Sequence, residues 1–537
     1  MAIRRPLSRR EFTRLAAAAG ALAIVPFGSA TSQVRFSSYP FQLGVASGDP
    51  SSDGFVIWTR IAPEPFVPEV LGNVVFELTW EVAEDSSFAK IRASGTALAR
   101  AHLAHAVHVE VGGLDAGREY FYRFRIGSYE SPTGRALTCP TGETAGPLRF
   151  AVTSCAHYEQ GFFSAYHYIA DDKPDLVLML GDYIYEDAWG ERRVRLFDTQ
   201  EATTLTEYRH RYTQYRTDPD LQAAHAACPW LAMWDDHEVD NDYAGLTGES
   251  AICGGEAVRQ SFPARRAAAY QAFFENMPLR PSRLLPGMAA RLYGTVDWGT
   301  LARFYLLDNR QYRSVQACQS APTPWNCDTD RGKKILFSGA GGGSFVNPEE
   351  PACKAELADP ARTMLGPEQE QWLDGAFAES HAAWNLLTQG VMFVTIKESW
   401  NGSPRIFTDA WAGYAPARER LLASLARHKT PNPVVLTGDI HSFWVNEVAN
   451  AAGRPMGVEL VTSSIATTNN DKTAMLPLNP QVRFHEGRHS GYIRCDLDRD
   501  KLRADIVAID DRLDPRSGRT VLASFEVRAG DPHAQRV

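Results

Sequence analysis

The chain has 537 residues, a mass of 59.4 kDa and a formal net charge of −9. With 44% hydrophobic and 22% charged residues, its composition is that of a globular protein with more than one domain, and it excludes collagen-like, low-complexity and small disulfide-scaffold classes. The negative charge disfavours a nucleic-acid backbone as a partner, so we expect no nucleic-acid binding. Acidic clusters that bind cations become the feature to look for.

Residues 1–30 have the layout of an export signal. Arg9 and Arg10 precede a short apolar run, 15–25, which is followed by small residues at 28–30. The paired arginines favour the twin-arginine route, which exports folded proteins, so its machinery is an expected partner. Because a membrane helix needs about 20 strongly apolar residues, we expect no transmembrane anchor in the mature chain. The predicted location is therefore periplasmic or secreted.

Residues 38–140 are predicted to form an all-β sandwich of the immunoglobulin or fibronectin type. Short apolar runs alternate with Gly, Asp and Pro turns and have no helical period, which is typical of antiparallel strands. These runs lie at 54–58, 74–80, 106–111 and 119–124. We expect no chemistry from this domain, and we interpret His105 and His108 as surface histidines, because residues three apart in a strand point to opposite faces.

Residues 148–528 are predicted to form a layered α/β domain. Buried-type strands alternate with helical segments, an order that gathers functional sites at the carboxyl ends of the strands. The expected strands are 148–154, 176–180, 230–234, 302–307, 384–389, 434–437 and 458–461, and the expected helices are 162–170, 201–226, 367–377 and 415–426. The stretch from about 490 to 528 alternates again and should add strands to a sheet edge.

A long loop at 314–351 is rich in Gly, Pro and Ser. Cys318, Cys327 and Cys353 lie in or beside it, where a disulfide would limit chain entropy. The sequence leaves the pairing open.

Two of the expected α/β strands are followed by Cys155 and by Asp182, which are residue types that bind metals. Gly181 lets the backbone turn sharply after a buried strand, which leaves the Asp182 carboxylate at the sheet edge. Tyr185, three residues further on, can lie beside that carboxylate. The alternative for Asp182 is a helix N-cap.

Two further strands end in acidic sequences. Asp235, Asp236 and Glu238 are close along the chain, so their carboxylates would repel one another unless a cation neutralised them. The alternative is an acidic loop exposed to solvent. Asp439 and His441 are two residues apart, so both point to one side of an extended strand end and could bind one metal.

In this order, these motifs resemble those of the calcineurin-like metallophosphatases, whose pattern is Asp, Gly-Asp-x-x-Tyr, Gly-Asn-His-Glu and Gly-His-x-His. They resemble the PhoD-type alkaline phosphatases more closely, including the export signal and the sandwich. Cys155 replaces the first aspartate and Asp236 replaces the asparagine, as in that branch. The likeness extends from 41–50 through 308–313 to 438–441. It implies a metallophosphatase α/β sandwich and a phosphoric ester hydrolase.

The resemblance also implies two kinds of metal. The implied iron(III) ligands are Cys155, Asp182, Tyr185 and His441. A calcium site, with one or two ions, would share Asp182 and add Asp439, Asp236 and Asn241. Softer thiolate, phenolate and imidazole groups suit a transition metal, and carboxylate and amide oxygens suit calcium. Asp235, Asp236 and Asn241 remain alternatives for direct contact.

The expected reaction is hydrolysis of a phosphate ester by a metal-activated hydroxide, because a bound metal lowers the pKa of its water towards about 7. His237 is the candidate hydrogen-bond donor or general acid, with a structural histidine as the alternative. Arg310 and Arg313 are candidates for gripping phosphate oxygens, with a salt bridge to a surface carboxylate as the alternative.

The leading functional hypothesis is an exported alkaline phosphatase that acts on phosphomonoesters and on some diesters. A phospholipase D-like phosphodiesterase is a second hypothesis, because related sequences with this sandwich carry that label. A third is a non-catalytic secreted protein that binds metal for structure alone.

Overall fold

The computed structural model describes residues 34–190, 193–249, 255–285, 289–318, 327–328, 333–334 and 344–537. Residues 36–537 form one compact unit. The expected export signal at 1–30 lies outside the described residues. Within the described part of the chain, no helix is both long enough and apolar enough to cross a membrane.

The strands are numbered in chain order. They are β1 (Val45–Ser51), β2 (Gly54–Arg60), β3 (Phe76–Ala83), β4 (Ile91–Ala99), β5 (Ala106–Val111), β6 (Glu119–Ile126), β7 (Tyr129–Glu130), β8 (Gly134–Leu137), β9 (Leu148–Thr153), β10 (Leu176–Met179), β11 (Pro229–Ala232), β12 (Leu284–Leu285), β13 (Ala289–Ala290), β14 (Gly294–Trp298), β15 (Ala302–Leu306), β16 (Cys327–Asp328), β17 (Lys333–Lys334), β18 (Phe345–Val346), β19 (Trp384–Thr388), β20 (Glu398–Trp400), β21 (Ser403–Phe407), β22 (Pro433–Thr437), β23 (Phe443–Ala449), β24 (Pro455–Val461), β25 (Val482–Glu486), β26 (Gly491–Leu497), β27 (Lys501–Ile509), β28 (Arg519–Arg528) and β29 (Ala534–Arg536).

The α-helices are α1 (Ser164–Asp171), α2 (Leu205–Arg216), α3 (Pro219–Ala227), α4 (Gly255–Asn276), α5 (Pro351–Leu357), α6 (Gly366–Ala378) and α7 (Ala415–His428). Local sequence explains several of their boundaries. At α2, the Thr204 side chain accepts from the Glu207 backbone N–H, and the Glu207 side chain accepts from the Thr204 backbone, which forms a capping box. At α3, Asp218 caps the helix before a proline at its first turn.

Two large sheets position the site. One contains ten strands in the order β29-β28-β27-β26-β9-β10-β11-β1-β2-β5, and the other contains seven in the order β14-β15-β19-β22-β24-β23-β25. In the second sheet, Phe304 and Val434 belong to a core shared with the first sheet, whereas their neighbours Tyr305 and Val435 belong to a core shared with α6 and α7. This alternation places the sheet between two apolar layers.

The expected α/β elements and the added C-terminal strands are confirmed. Strands β26, β27 and β28 pair antiparallel and extend the ten-stranded sheet beyond β9. The open question of the disulfide is answered by a bond between Cys318 and Cys353. The fold class is therefore an N-terminal all-β region followed by a mixed α/β region.

The N-terminal region differs from the expectation in one respect. Its strands β3, β4, β6, β7 and β8 form a separate sheet, but β1, β2 and β5 belong to the ten-stranded sheet. The link is a parallel pairing of β1 with β11, with Ser47 opposite Pro229 and Gly48 opposite Trp230. Three of the eight N-terminal strands thus continue the sheet that holds the site.

His105 and His108 are not the surface residues that the sequence analysis expected. The Nε2 atom of His105 lies 2.9 Å from the Val74 carbonyl oxygen, and the residue is buried. The Nε2 atom of His108 lies 2.9 Å from the carbonyl oxygen of Phe274 in α4, whose ring stacks on the imidazole. These backbone carbonyls satisfy the buried ring nitrogens.

Candidate metal centre

The predicted ligands follow four strands of the two sheets. Strands β9, β10 and β11 are parallel neighbours, so their carboxyl ends meet at one edge, and β22 ends beside them. We call the side chains gathered here the ligand edge. It consists of Cys155 after β9, Asp182 and Tyr185 after β10, Asp236 after β11, and Asp439 and His441 after β22.

The four predicted iron ligands converge. The Cys155 Sγ atom lies 3.3 Å from Asp182 Oδ2, and the Tyr185 hydroxyl lies 3.1 Å from the same oxygen. The Tyr185 hydroxyl is also 3.2 Å from His441 Nε2. Cys155 is a buried free thiol, so sulfur, phenol, imidazole and carboxylate can face one ion.

The carboxylates form a second group beside the first. One oxygen each from Asp235, Asp236 and Asp439 lie within 4.8 Å of one another, as do single ligand atoms of Asp182, Asp236 and His237. Oδ2 of Asp439 is buried and has no hydrogen-bond partner in the described residues. A buried carboxylate oxygen without a donor is the position that a cation would satisfy.

Without a cation, part of the ligand edge would be protonated, although Arg310 and His237 outweigh burial at Asp236 and lower its pKa. Burial and the neighbouring charge of Asp236 raise the pKa of Asp182 well above its usual value, and burial likewise raises the pKa of the Cys155 thiol and the Tyr185 hydroxyl. Burial lowers the pKa of His441 to about 3, which keeps its imidazole in the neutral form that binds metals. The donor set therefore fits bound metal ions.

The backbone at the ligand edge is strained. Cys155, Asp182, Asp439 and His441 all have positive φ angles, of 59°, 57°, 69° and 54°. Residues other than glycine adopt this left-handed region at a cost of about 1 kcal/mol or more, and such strain concentrates at functional sites. Gly181, as expected, allows the turn, because a Cβ there would lie 2.4 Å from the Asp235 backbone nitrogen.

Glu238 joins two of the loops that carry ligands. Its carboxylate accepts hydrogen bonds from the backbone N–H groups of Asp182, Tyr183 and Asp235, at 3.1, 2.6 and 2.8 Å. The sequence analysis read Glu238 as a charge in need of a cation. The structure gives it three backbone donors instead, so it fixes the separation of the β10 and β11 loops.

Arg310 lies behind the ligand edge and not on the open site. Its side chain is fully buried, forms an ion pair with Asp235 and lies 2.7 Å from Asp409, while Arg313 lies 2.5 Å from the other oxygen of Asp409. We call these four residues the arginine cluster. Both guanidinium groups are paired with carboxylates in this arrangement, so neither is placed to bind phosphate oxygens as expected. The alternative of a salt bridge holds, but the partner carboxylates are buried and not at the surface.

His237 and Glu186 form a hydrogen-bonded pair. The His237 Nδ1 atom lies 2.8 Å from Glu186 Oε2, and the centre of the imidazole lies 4.1 Å from that of the Tyr185 ring, with the two planes tilted by 31°. Burial lowers the pKa of His237, but the charges of Glu186, Asp236 and Asp182 outweigh it and hold that pKa above its usual value. The sequence analysis missed Glu186, although it directly follows Tyr185.

The Asn241 side chain lies at the edge of this group. Its backbone N–H donates to Glu186 at 2.8 Å, and its amide nitrogen lies 3.4 Å from Glu249. Its neighbour Asp242, which the sequence analysis did not single out, lies with Asp236 and Asp409 within 4.8 Å. Asn241 as a calcium ligand remains a prediction.

A cavity of about 760 Å³ opens on the ligand edge. Asp182, Asp236, His237, Asp439 and His441 line it, together with both apolar and polar side chains. A pocket of this size admits an organic phosphate.

A family model described as PhoD-like phosphatase matches residues 150–506, and the model of that family's N-terminal domain matches 28–140. The chain belongs to the PhoD-like phosphatase family. It is 40% identical over 507 residues to alkaline phosphatase D of Bacillus subtilis (strain 168), a match that covers 91% of this chain and 81% of that protein.

Solved structures agree with this assignment. A structure of PhoD is 38% identical, with a TM-score of 0.84, and the match covers 94% of this chain and 93% of that one. A purple acid phosphatase from yellow lupin seeds is only 11% identical, with a TM-score of 0.52 over 90% of this chain and 74% of that one, and it shares the fold. This PhoD-like protein is therefore a metal-dependent phosphatase, and the hypothesis of a non-catalytic binding protein is wrong.

Proposed function

We propose that this chain is an exported alkaline phosphatase that hydrolyses phosphomonoesters fastest and phosphodiesters more slowly. The observation that supports it is the convergence of the ligand edge on one cavity, with His237 at the same end. Membership of the PhoD-like family supports the same reaction class.

We infer iron(III) and calcium as the metals. Cys155, Tyr185 and His441 offer the softer donors for iron, and Asp236 and Asp439 offer hard oxygens for calcium. Asp182 would be the ligand shared by the two metals, since its carboxylate lies beside both groups of side chains. When bound, the two cations neutralise the phosphoryl oxygens and lower the pKa of a water molecule.

The residues of the chain supply the proton and the positioning. With Nδ1 of His237 held by Glu186, Nε2 is the nitrogen that can give a proton to the departing oxygen. Arg310 is a positioning residue, because its guanidinium neutralises Asp235 and Asp409 behind Asp236.

The test uses the purified full chain on p-nitrophenyl phosphate, bis(p-nitrophenyl) phosphate and phosphatidylcholine. We expect hydrolysis of the first two, with a higher kcat/KM for the monoester. Release of choline at a higher kcat/KM than that for the monoester would replace the proposal with a phospholipase D-like phosphodiesterase. Absence of any hydrolysis after loading with iron and calcium would overturn both.

Export is tested separately, in cells. Replacing Arg9 and Arg10 with lysine should leave the protein in the cytoplasm, because the twin-arginine route recognises the arginine pair. Replacing Arg4 and Arg5 in the same way is the matched control, and it should leave export intact. Export of the Arg9→Lys/Arg10→Lys chain would contradict the twin-arginine route.

A further inference from the structure

The cavity beside the ligand edge has a mixed lining. Besides the metal-binding side chains and polar residues such as Asn469 and Asn470, it is lined by apolar side chains that we call the apolar wall. The apolar wall consists of Met392, Val394, Ile396, Phe407, Ile440 and Trp444. A phosphoryl group on the ligand edge would therefore direct the rest of the substrate towards this wall.

One residue of the apolar wall, Val394, is buried in the core shared with α6 and α7, and Ile396 also packs against that core. Met392 and Trp444 belong to a small separate hydrophobic cluster, and Ile396, Phe407 and Ile440 pack against it while remaining partly exposed. Partly exposed apolar groups that share one concave surface gain free energy when an apolar ligand covers them. The Phe407 ring also contacts that of Phe345, which extends the surface.

The cation at Lys472 is already paired. Lys472 lies 2.8 Å from Glu398, and its ammonium group lies 5.0 Å from the centre of the Phe345 ring. Arg512 donates from Nε to the backbone oxygen of Gln160 at 3.1 Å, a neutral acceptor. A negatively charged organic group would have to compete with Glu398 for Lys472, whereas an uncharged apolar group would not.

We propose that the apolar wall binds the organic group of the substrate and that this group is apolar, so that the enzyme cleaves phosphate esters of apolar alcohols. This inference rests on the proposed function, since the phosphoryl group must occupy the ligand edge. In the reaction, the bond between phosphorus and the ester oxygen breaks, water supplies the new oxygen on phosphorus, and the apolar alcohol leaves with a proton.

The first experiment measures kcat/KM for n-alkyl phosphates from ethyl to octyl, which have nearly the same leaving-group pKa and differ in apolar length. We expect kcat/KM to rise two- to fourfold per added methylene until the cavity is filled, with fourfold as the limit for full burial. Propyl phosphate should be a better substrate than glycerol phosphate, which has the same carbon count and two hydroxyl groups.

Two variants test the wall itself. Ile396→Asn and Phe407→Asn should lower the increase per methylene to less than half of the wild-type value, and Ile396→Leu should retain it. Leu476→Asn is the matched control, because Leu476 packs against the same hydrophobic cluster but does not line the cavity. It should leave the chain-length dependence unchanged.

Binding of n-alkylphosphonates, measured by calorimetry, separates this inference from the proposed function. Tighter binding with longer chains supports the inference even if no ester is hydrolysed, a result that would overturn only the proposed function. Equal affinity for ethyl and octylphosphonate, or equal kcat/KM for their esters, would overturn the inference and leave the phosphatase proposal standing.

Discussion

Two buried acidic groups lie side by side in this molecule, and they differ in how their charge is balanced. In the arginine cluster, burial opposes ionisation of Asp409, yet Arg310 and Arg313 hold its pKa below the ordinary value. At the ligand edge, Asp182 and Asp439 make no ion pair in the described part of the chain, and burial raises the pKa of both.

This difference distinguishes the arginine cluster, as a structural group, from the ligand edge, as the functional one. The arginine cluster pairs two buried carboxylates with two guanidinium groups, although burial still raises the pKa of Asp235 to about 7. We therefore assign it a structural role, the positioning of the neighbouring loops. At the ligand edge, Asp182 and Asp439 are buried carboxylates without an ion pair in the described part of the chain, and they adjoin a strained backbone and a cavity. Bound metal ions would balance their charge.

The largest expected effect comes from removing the shared ligand. Asp182→Asn should lower kcat/KM on p-nitrophenyl phosphate about a thousandfold or more, because it weakens both metal sites and several kcal/mol of transition-state stabilisation is lost. Metal analysis of the same sample should show less iron and less calcium. Normal metal content with normal turnover would contradict the assignment of the ligand edge as the metal-binding group.

A substitution in the arginine cluster should affect stability. Arg310→Met leaves Asp235 buried without its cation and Asp409 with Arg313 alone, and should lower the free energy of unfolding by about 3–5 kcal/mol in urea denaturation. Arg303→Met is the matched control, since Arg303 pairs with the half-exposed Asp297 and should cost about 1 kcal/mol or less. Equal losses in the two variants would mean that the cluster is not specially stabilising.

His108 defines a pH effect outside both groups. Burial lowers its pKa from 6.5 to about 4, so the folded state holds it neutral while the unfolded chain protonates it. The free energy of unfolding is not reduced by this residue above pH 6.5. As the pH falls towards 4, protonation of His108 in the unfolded chain lowers the free energy of unfolding by up to about 3 kcal/mol. In denaturation curves, His108→Gln should flatten the pH dependence over this range. An unchanged slope would assign the pH effect elsewhere.

A smaller effect is expected from the partner of His237. Glu186→Gln should lower kcat about 10- to 100-fold, because orienting partners contribute on this scale. The loss should be greater for ethyl phosphate than for p-nitrophenyl phosphate, whose leaving group needs no proton. Glu201→Gln, at a carboxylate paired with Arg265, is the control. Equal losses on both substrates would show that Glu186 has only a structural role.

The sequence predicted the strand ends and the side chains that converge there, because a buried strand followed by Gly-Asp or Gly-Asp-x-His is a local signal. It could not place Arg310, whose partners Asp235 and Asp409 are distant in sequence and meet only in the folded chain. The pairing of β1 with β11 and the burial of His108 against α4 were missed for the same reason, since periodicity does not identify the surface that an element faces.

The most direct test of the central claim is the visible spectrum and metal content of the purified protein. We predict bound iron and calcium, with a visible absorption band from the Tyr185 phenolate on iron that disappears in Tyr185→Phe. A colourless protein without iron, or a band that survives in Tyr185→Phe, would contradict the proposed centre.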